Sequence, residues 1–458
     1  MPVTPSRRDF LKTVASAGAG LAVTALSGSA APAAGRPRAR GDYVGGLVAP
    51  KLETVRCGFI GVGARGTGHV RQMLGLEGVQ VVAVADPHVP SAERAARLCT
   101  KAGRAAPELY TKGDLDYRRM VERDDLDAVI IATPWRWHAP QGVDTMLAGK
   151  HAFIEVPIAV TLEECWQLVD TAEKTQRHCM MMENVCYGRE ELMFLNMCRQ
   201  GLLGELLHGE AAYIHDLRGQ MKQTEHGTGF WRTPHHTRRN GNLYPTHGLG
   251  PIAQYMNIDR RDDRFDFLVS LSTPARGRGL YAGANFPPDH PRNQARYICG
   301  DMNTSLIKTV KGRTILVQHD TTTPRPYTRH DLIQGTRGVL AGFPTRLTIE
   351  GRGSTHAWTE RDGLKPYFDE FDHPLWRRTG EAARKAGGHG GMDFVMRWRM
   401  VYCLRNGEPL DQNVYEGCSW SAVAALSEQS VAGGGKPAAF PDFTRGRWKE
   451  TAPLGIVS

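Results

Sequence analysis

The stretch that decides the fold is Val55-Arg56-Cys57-Gly58-Phe59-Ile60-Gly61-Val62-Gly63-Ala64-Arg65-Gly66. Its first six residues predict a short strand, and the residues after Gly66 predict a helix that runs to Leu76. A Gly-x-Gly-x-x-Gly run between a strand and a helix is typical of a dinucleotide-binding loop. Gly61 permits the tight turn, Gly63 lets the backbone approach a pyrophosphate, and Gly66 lets the helix pack on the strand. The helix N-terminus at Ala64 and Arg65 presents free N–H groups to the phosphates.

A second apolar strand, residues 79–85, ends in Asp86, 25 positions after Gly61. A carboxylate at this place accepts hydrogen bonds from the ribose hydroxyls of a dinucleotide and repels a 2′-phosphate. The order of strand, glycine loop, helix, strand and acid therefore predicts NAD as the cofactor, in preference to NADP. The alternative is a glycine turn without a ligand.

The same pattern continues along the chain. Residues 127–133 are apolar on both faces and predict a buried parallel strand. The loop that follows, Pro134-Trp135-Arg136-Trp137-His138, lies at the carboxyl end of the sheet, where open α/β sheets bind ligands. Its two tryptophans are candidates for cofactor contact, with core packing as the alternative. Further segments are predicted as a helix over 139–148, a strand over 151–154, a helix from near 161 and a strand over 180–182. Residues 51–185 are thus predicted to form a Rossmann domain.

Length and charge limit the remaining possibilities. The 458 residues exceed what one core usually supports, which predicts two domains in an α/β protein. The formal net charge is +9, but residues 1–40 contribute +5 (six basic residues, one acidic), so only +4 is left for the rest. Without a basic run interleaved with aromatics, nucleic-acid binding is not expected. The nine cysteines contain no C-x-x-C pair and predict buried small side chains rather than a disulfide framework.

The N-terminus carries an export pattern. Ser6-Arg7-Arg8-Asp9-Phe10-Leu11-Lys12 matches the twin-arginine signal, an apolar stretch over 14–26 follows, and Ala31-Pro32-Ala33 offers a cleavage site. A chance Arg-Arg pair before an apolar segment is the alternative. We therefore expect a signal peptide over 1–34, a mobile linker over 35–50, and a folded protein delivered to the periplasm or beyond. The apolar stretch is too short and glycine-rich for a membrane span, so none is expected in the mature protein.

The glycine loop, the Thr-Pro-x-x-x-His run from Thr133 and the Glu-x-Pro run from Glu155 together resemble the Gfo/Idh/MocA oxidoreductase family. Most members read Glu-Lys-Pro in the last motif, and that lysine assists hydride transfer at a substrate hydroxyl. Valine occupies this place here, as Val156. The substitution counts against an ordinary NAD-dependent sugar dehydrogenase, which stays open as the second interpretation. A non-catalytic NAD-binding or sugar-sensing protein is the third.

Several longer runs resemble one branch, glycoside hydrolase family 109, whose members are NAD-dependent α-N-acetylgalactosaminidases. The runs are Thr-Pro-Trp-Arg-Trp-His (133–138), Glu-Asn-Val-Cys-Tyr (183–187), Leu-Tyr-Pro-Thr-His-Gly (243–248) and Gly-His-Gly-Gly-Met-Asp (388–393). The resemblance implies a glycan or glycoconjugate with terminal N-acetylgalactosamine as substrate. It also implies that NAD removes the C3 hydride, a base takes the C2 proton and the C1 group leaves; water then adds at C1 and the hydride returns to C3. No net redox change results.

The candidate catalytic residues are His247 and Tyr244, three positions apart and so on one side of a helical turn. A histidine titrates near neutrality, which makes His247 the candidate base, with Tyr244 positioning or sharing the proton. A helix starting at Pro245 is expected, because proline is tolerated in the first turn. The resemblance also implies cofactor contacts at Ala64, Arg65, Asp86, Trp135, Arg136, Trp137, His138, Glu155, Val156, Asn184, Tyr244, Pro245, Thr246 and His247. It implies substrate contacts at Tyr213, Arg232, Tyr244 and Tyr327.

For residues 186–440 the resemblance implies an α+β domain with an open, mostly antiparallel sheet, which commonly forms homo-oligomers. Alternating patterns at 304–310, 314–317 and 346–350 predict three of its strands. The tail, 441–458, is expected to pack across the surface. No metal is expected, because His226, His235-His236 and His389 lack acid or cysteine partners at ligand spacing.

Overall fold

A six-stranded parallel sheet forms the first half of the fold in the computed structural model, which describes residues 41–455. Its strand order, β3-β2-β1-β4-β5-β6, is that of a doubly wound dinucleotide-binding domain. The central strands are buried along their whole length, as expected for a sheet covered by helices on both faces. The strands are β1 (Val55–Ile60), β2 (Val79–Ala85), β3 (Glu108–Tyr110), β4 (Ala128–Ile131), β5 (His151–Ile154) and β6 (Cys179–Met181).

The helices between these strands start where local signals place them. Helix α5 begins after a capping box, in which Thr161 Oγ1 accepts from the Glu164 backbone N–H and Glu164 Oε2 accepts from the Thr161 N–H, both at 3.1 Å. Helix α1 ends at Met73, three residues before the predicted Leu76, and the chain then turns through Gly78, which has φ +70°. The five helices are α1 (Ala64–Met73), α2 (Val89–Lys101), α3 (Tyr117–Val121), α4 (His138–Leu147) and α5 (Leu162–Thr175).

A nine-stranded mixed sheet forms the second half. Its order is β14-β13-β12-β11-β7-β10-β9-β8-β15, and within the described residues every neighbouring pair except β7 with β10 is antiparallel. The predicted open, mostly antiparallel sheet is therefore confirmed. The strands are β7 (Leu206–Ile214), β8 (Phe265–Ser272), β9 (Asn303–Thr309), β10 (Thr314–Asp320), β11 (Leu332–Gly335), β12 (Gly338–Ala341), β13 (Arg346–Ile349), β14 (Thr359–Glu360) and β15 (Ala438–Ala439).

One long helix, α14, joins the two halves. It packs against β8 of the second sheet and against α5 and β6 of the first, and it buries Trp420 and Tyr415 completely. The two sheets therefore share one hydrophobic core. The helices of the second half are α6 (Arg189–Arg199), α7 (Thr233–Arg238), α8 (Thr246–Tyr255), α9 (Gly277–Asn285), α10 (Pro291–Gln294), α11 (Lys365–Phe371), α12 (Pro374–Ala386), α13 (Met392–Asn406) and α14 (Val414–Ala432).

The segments at either end of the described chain are packed against the core. The expected signal peptide and the first part of the linker lie outside the described residues. The remainder of the linker differs from the expected mobile segment, because Val44 is buried and the Tyr43 ring stacks on Tyr415 with centroids 4.8 Å apart. At the other end Phe443 is buried against Trp166, with centroids 4.8 Å apart. Aromatic contacts thus anchor both segments.

Two further findings concern the described residues. All nine cysteines lie among them, carry free thiols and are buried or half-buried, which confirms their predicted role as small core side chains. None of the helices within 41–455 combines the length and the apolar character needed to cross a membrane.

Candidate active site

The glycine loop has the geometry that its sequence predicts. Gly61 has φ +80°, and a Cβ at this position would lie 2.7 Å from Thr133 Cγ2. A Cβ on Gly66 would lie 1.9 Å from the carbonyl oxygen of Gly61, so any larger residue would push α1 away from β1. Glycine is therefore required here for a turn and for a close helix–strand approach, as the fingerprint demands.

A cleft of about 900 Å³ opens at the carboxyl ends of the parallel strands, a volume suited to a dinucleotide. The glycine loop forms its floor, Asp86 lies at one end, and Glu155 and Val156 lie beyond β4 on the other side. Val156 places an apolar side chain where most Gfo/Idh/MocA members have lysine. The predicted cofactor residues on the cleft wall are Gly61, Gly63, Ala64, Arg65, Asp86, Trp135, Arg136, Trp137, His138, Glu155 and Val156.

The Asp86 carboxylate is buried and held by the backbone. Its Oδ2 accepts from the Val62 N–H at 2.8 Å, and its Oδ1 accepts from the His88 N–H at 2.9 Å. His226 Nε2 also lies 3.0 Å from Oδ1, a contact that sequence reasoning did not foresee. A carboxylate oxygen has two acceptor directions, so Oδ2, which accepts from the Val62 N–H, can also serve a ribose hydroxyl, and Oδ1 can do so once His226 moves away. The negative charge of Asp86 opposes a 2′-phosphate.

A loop from the second half, residues 225–229, covers the glycine loop and is called the covering loop below. The Gly227 carbonyl accepts from the Ala64 N–H at 3.0 Å, and the His226 ring stacks on His88 with centroids 4.6 Å apart. A Cβ on Gly227 would lie 2.5 Å from the Cα of Gly63. Two glycines therefore let the two loops touch, and the covering loop has to move for a cofactor to reach the Ala64 N–H.

The Trp-Arg-Trp turn joins the cleft to a cluster of rings behind it. Trp135 is buried, and its ring centroid lies 5.0 Å from that of Trp231 and 5.9 Å from that of Tyr244. His138 starts α4, and its ring nitrogens lie 2.8 Å from the carbonyl oxygens of Thr133 and Pro157. His138 therefore holds the loop in place, while Trp135 faces both the cofactor cleft and the rings.

The ring cluster brings three predicted site residues together. Tyr213 lies at the end of β7, Tyr244 precedes α8 and His247 lies in the first turn of α8. The Tyr213 ring centroid lies 4.4 Å from that of Tyr244 and 5.3 Å from that of His247. Helix α8 starts at Thr246 with Pro245 as its N-cap, so Tyr244 and His247 do not share a helical turn as expected. Their rings nevertheless meet edge to face at 4.9 Å.

Glu183, which sequence reasoning missed, contacts the candidate base. Its side chain is completely buried at the end of β6, and its Oε1 lies 2.7 Å from His247 Nδ1. A carboxylate accepts but does not donate, so Nδ1 carries the proton and Nε2 is left free to accept one. This is the arrangement by which an acid orients a catalytic histidine. An acid directly after a buried strand, next to Asn184, was the available signal.

The tyrosines of the cluster are neutral donors. Burial raises the pKa of Tyr213 to about 12, and burial together with Tyr213 raises the pKa of Tyr244 well above its ordinary value. The Arg232 guanidinium lies 5.6 Å from the Tyr244 ring centroid and 5.1 Å from that of Trp231, and among the described residues its Nε has no hydrogen-bond partner. Tyr327 is half-exposed at the rim, 6.5 Å from Tyr213. The four predicted substrate residues therefore lie together around the ring cluster.

Glu155 belongs to an ion network below the cleft. Its Oε1 accepts from Arg65 Nε at 2.6 Å and lies 2.7 Å from His69 Nε2. Burial alone would raise the pKa of Glu155, but the charge of Arg65 and the hydrogen bond from His69 lower it well below its ordinary value. Arg65 also donates to Asp393 Oδ2 at 2.7 Å. Glu155 is therefore ionised and holds the Arg65 side chain at the start of α1.

Asn184, at the end of β6, is the last of the predicted cofactor-binding residues. Its Nδ2 donates to Asp393 Oδ1 at 2.7 Å, while its buried Oδ1 has no hydrogen-bond partner within the described part of the chain. An orphaned buried acceptor at this edge of the sheet fits the amide of a bound nicotinamide. The residues present therefore fit NAD: glycines that admit the pyrophosphate, an acid for the ribose and an acceptor at the far end.

The histidines examined as metal ligands have other contacts. His226 lies against Asp86, His389 Nδ1 lies 3.0 Å from Asp393 Oδ2, and Arg278 Nη2 lies 3.2 Å from His236 Nε2. Within residues 41–455 no group of three or more His, Cys, Asp or Glu side chains is arranged to hold a metal ion.

Comparison with known proteins agrees with this geometry. Residues 55–183 match the NAD-binding Rossmann fold of the GFO/IDH/MocA oxidoreductase family, and residues 187–450 match the C-terminal domain of glycosyl hydrolase 109. Glycosyl hydrolase family 109 protein 1 of Shewanella sp. (strain ANA-3) is 62% identical over 454 residues, 98% of each chain. The chain belongs to glycoside hydrolase family 109. It is an NAD-dependent glycosidase, as the sequence runs predicted.

Other similar proteins include a relative with a named activity and two solved structures of dehydrogenases. A protein of Shewanella oneidensis named alpha-N-acetylgalactosaminidase is 62% identical over 456 residues, 98% of each chain. Among solved structures, levoglucosan dehydrogenase with NADH and L-sorbose aligns with a TM-score of 0.64 at 17% identity, over 85% of this chain and all of that one. Scyllo-inositol dehydrogenase from Lactobacillus casei aligns at 0.60 and 14%, over 84% and 99%. The structural likenesses show the shared fold.

Proposed function

We propose that this glycosidase removes terminal α-N-acetylgalactosamine from glycans or glycoconjugates. The observation that carries the proposal is the Glu183–His247 contact beside Tyr244, next to a cleft that has Val156 in place of a lysine. This arrangement supplies a base and a neutral hydroxyl without the residue that a simple dehydrogenase uses. The name of the 62% identical Shewanella oneidensis relative supports the sugar and its anomer.

Each residue has a definite task in this proposal. NAD, when bound, would supply a reversible hydride acceptor for C3 of the sugar, and water would add at C1 after the leaving group has gone. His247, with its Nδ1 proton held by Glu183, uses Nε2 to accept a proton at C2. Tyr244 keeps its proton, because burial raises its pKa, and donates a hydrogen bond to the sugar oxygen that gains negative charge. Arg232 offers several N–H donors to sugar hydroxyls or to the acetamide oxygen.

The same residues define how NAD is held. When NAD is bound, the backbone around Gly63 and Arg65 would face the pyrophosphate, and Asp86 would accept from the adenosine ribose. Asn184 and Glu155 lie at the opposite end of the strand order.

The deciding experiment follows release of an aglycone from an aryl α-N-acetylgalactosaminide by the purified protein without added NAD. We expect turnover without NADH accumulation and, in deuterated water, deuterium at C2 of the released sugar. A sugar dehydrogenase would instead form NADH from free sugar, and a non-catalytic protein would do neither. Cleavage without deuterium at C2 would refute the elimination route, and cleavage of another sugar alone would refute the specificity.

We further propose export through the twin-arginine pathway, which supports a periplasmic or extracellular glycosidase. The support is the Ser6–Lys12 run, and this pathway carries proteins that already hold their cofactor. Replacing Arg7 and Arg8 with lysine is expected to leave the protein in the cytoplasmic fraction. Unchanged export of that variant would contradict the proposal.

We also propose a homo-oligomer that uses the open face of the second sheet. Leu271 on β8 and Leu306 on β9 are exposed, and their strand register places both on one face with Val269. A second copy would cover this apolar face. Sedimentation analysis is expected to show a dimer or larger species, and Leu271→Glu with Leu306→Glu is expected to dissociate it. A monomeric wild-type protein would contradict the proposal.

A further inference from the structure

Asp393 is a buried carboxylate in the first turn of α13, in the second half of the protein. A glycine-rich turn, residues 387–391, precedes it, and the positive φ angles of its glycines, from 68° to 102°, bend the chain back toward the first half. The turn delivers Asp393 to the cofactor-binding half. The proposed chemistry assigns this side chain no task.

The two oxygens of Asp393 serve two cofactor-binding residues. Oδ2 accepts from Arg65 Nη1 at 2.7 Å, and Oδ1 accepts from Asn184 Nδ2 at 2.7 Å. His389 Nδ1 lies 3.0 Å from Oδ2. Burial alone would raise the pKa of Asp393, but the hydrogen bond from His389 and the charge of Arg65 lower it far below its ordinary value. The group is therefore an anion that accepts hydrogen bonds only.

An acceptor-only neighbour decides the orientation of the Asn184 amide. An asparagine amide has a donor end and an acceptor end that rotate into each other's place, and the hydrogen-bond network selects between them. Because Asp393 cannot donate, the Asn184 NH₂ group has to face it, and the carbonyl oxygen has to face the opposite way. That oxygen is buried and has no hydrogen-bond partner among residues 41–455.

The strand order shows which part of NAD this oxygen serves. Asp86 follows β2, the glycine loop follows β1, and Asn184 follows β6 at the far edge of the sheet. With the ribose of adenosine at Asp86 and the pyrophosphate at the glycine loop, the nicotinamide lies toward β5 and β6. The nicotinamide carboxamide carries N–H donors, whereas ADP-ribose lacks that group altogether.

We propose that Asp393 is a positioning residue, which turns the Asn184 carbonyl oxygen toward the nicotinamide carboxamide of NAD. The surrounding network keeps Asp393 in place: Arg397 donates to the Asp393 carbonyl at 2.6 Å, and its Nε lies 2.8 Å from His69 Nδ1. Asp393, in the second half of the protein, thus determines how Asn184, in the first half, contacts the cofactor. The inference rests on NAD binding and not on the sugar that is cleaved.

The test compares affinity for NAD with affinity for ADP-ribose, each measured by equilibrium dialysis of the full-length protein after its bound NAD has been exchanged. Asp393→Ala is expected to weaken NAD roughly tenfold more than ADP-ribose, because one hydrogen bond to the nicotinamide end loses its geometry. Asn184→Ala is expected to do the same, and the double variant is expected to be no worse than either single one. Asp393→Asn adds a donor and no longer forces the orientation of the Asn184 amide, so it is expected to change the ratio in the same direction as Asp393→Ala.

The matched control is Asp411→Ala, which removes another buried carboxylate. Asp411 accepts at 3.1 Å from Arg399, a residue of α13 like Asp393. The substitution is expected to lower stability without changing the ratio of the two affinities. Equal weakening of NAD and ADP-ribose in Asp393→Ala, or single effects that multiply in the double variant, would overturn the proposal. If Asp393→Ala does not fold, Asp393→Ser removes the same acceptor geometry and carries the same expectation. If Asp393→Ala loses sugar cleavage but keeps the wild-type ratio of NAD to ADP-ribose affinity, the positioning role of Asp393 is wrong and the proposed function is untouched. If the ratio changes but the wild-type protein cleaves no α-N-acetylgalactosaminide, the proposed function is wrong and the positioning role stands.

Discussion

Replacing Glu183 with glutamine removes one charge from the site while keeping the size of the side chain. In the wild-type protein the carboxylate accepts from His247 Nδ1 at 2.7 Å, so it both fixes the tautomer and stabilises the imidazolium that forms when Nε2 takes a proton. A hydrogen bond to a charged group contributes about 2 kcal/mol. Since about 1.4 kcal/mol corresponds to tenfold in rate, kcat/KM is expected to fall about 30-fold.

The assay measures kcat/KM for an aryl α-N-acetylgalactosaminide together with deuterium uptake at C2, and both are expected to fall in parallel. Bound NAD is measured in the same samples and is expected to stay at the wild-type level, because the Glu183 carboxylate bonds to His247 and to the Val185 N–H rather than to the glycine loop or Asp86. Glu173→Gln is the matched control: Glu173 is also a buried acid, but it bonds to Tyr415 and Arg445. Wild-type rates in Glu183→Gln, or an equal loss in Glu173→Gln, would refute the reasoning.

Three further predictions concern the cofactor loops and the stability of the fold. Gly66→Ala is expected to abolish NAD binding, since its Cβ would lie 1.9 Å from the Gly61 oxygen; Gly68→Ala on the same helix, with nothing within 4 Å, is the control, and NAD retained by Gly66→Ala would contradict the prediction. Gly227→Ala is expected to tighten NAD binding in equilibrium dialysis, because its Cβ would disrupt the contact with Gly63 that the covering loop has to give up before NAD reaches the Ala64 N–H; an unchanged NAD affinity would mean that this contact does not compete with the cofactor. Burial, helped by His178, lowers the pKa of His151 to about 3, so the unfolded state binds the extra proton first and stability falls as the pH drops from about 6.5 toward 3. In urea titrations, the free energy of unfolding of His151→Asn is expected to depend less steeply on pH than that of the wild type, by about 1.4 kcal/mol per pH unit. An unchanged slope would exclude His151 as the source of the dependence.

Residues close together in sequence were predictable because their contacts are local. The turn at Gly61, the helix start near Thr161 and the strand before Asp86 depend on neighbours a few positions away, and the structure places each where the pattern predicts it. One local expectation was wrong: Tyr244 does not share a helical turn with His247, because Pro245 caps the helix and Thr246 starts it.

The sequence by itself determined the doubly wound fold, the choice of NAD and, through runs such as 243–248, the family. Those properties follow from strand and helix periodicity, from glycines that admit phosphate, and from the acid at Asp86. Each of these signals lies within one short segment, where residue type and spacing alone decide the local structure.

The tertiary structure alone decided which groups touch. Glu183 and His247 are 64 positions apart, and Asn184 and Asp393 are 209 apart, so no spacing rule connects either pair. The covering loop reaches the glycine loop from the other half of the chain in the same way. Hydrogen bonds of 2.7 Å between such residues exist only after α14 has packed the two sheets into one core. The fingerprint therefore names the cofactor, and the packing of the second half onto the first decides how that cofactor is oriented, covered and supplied with a base.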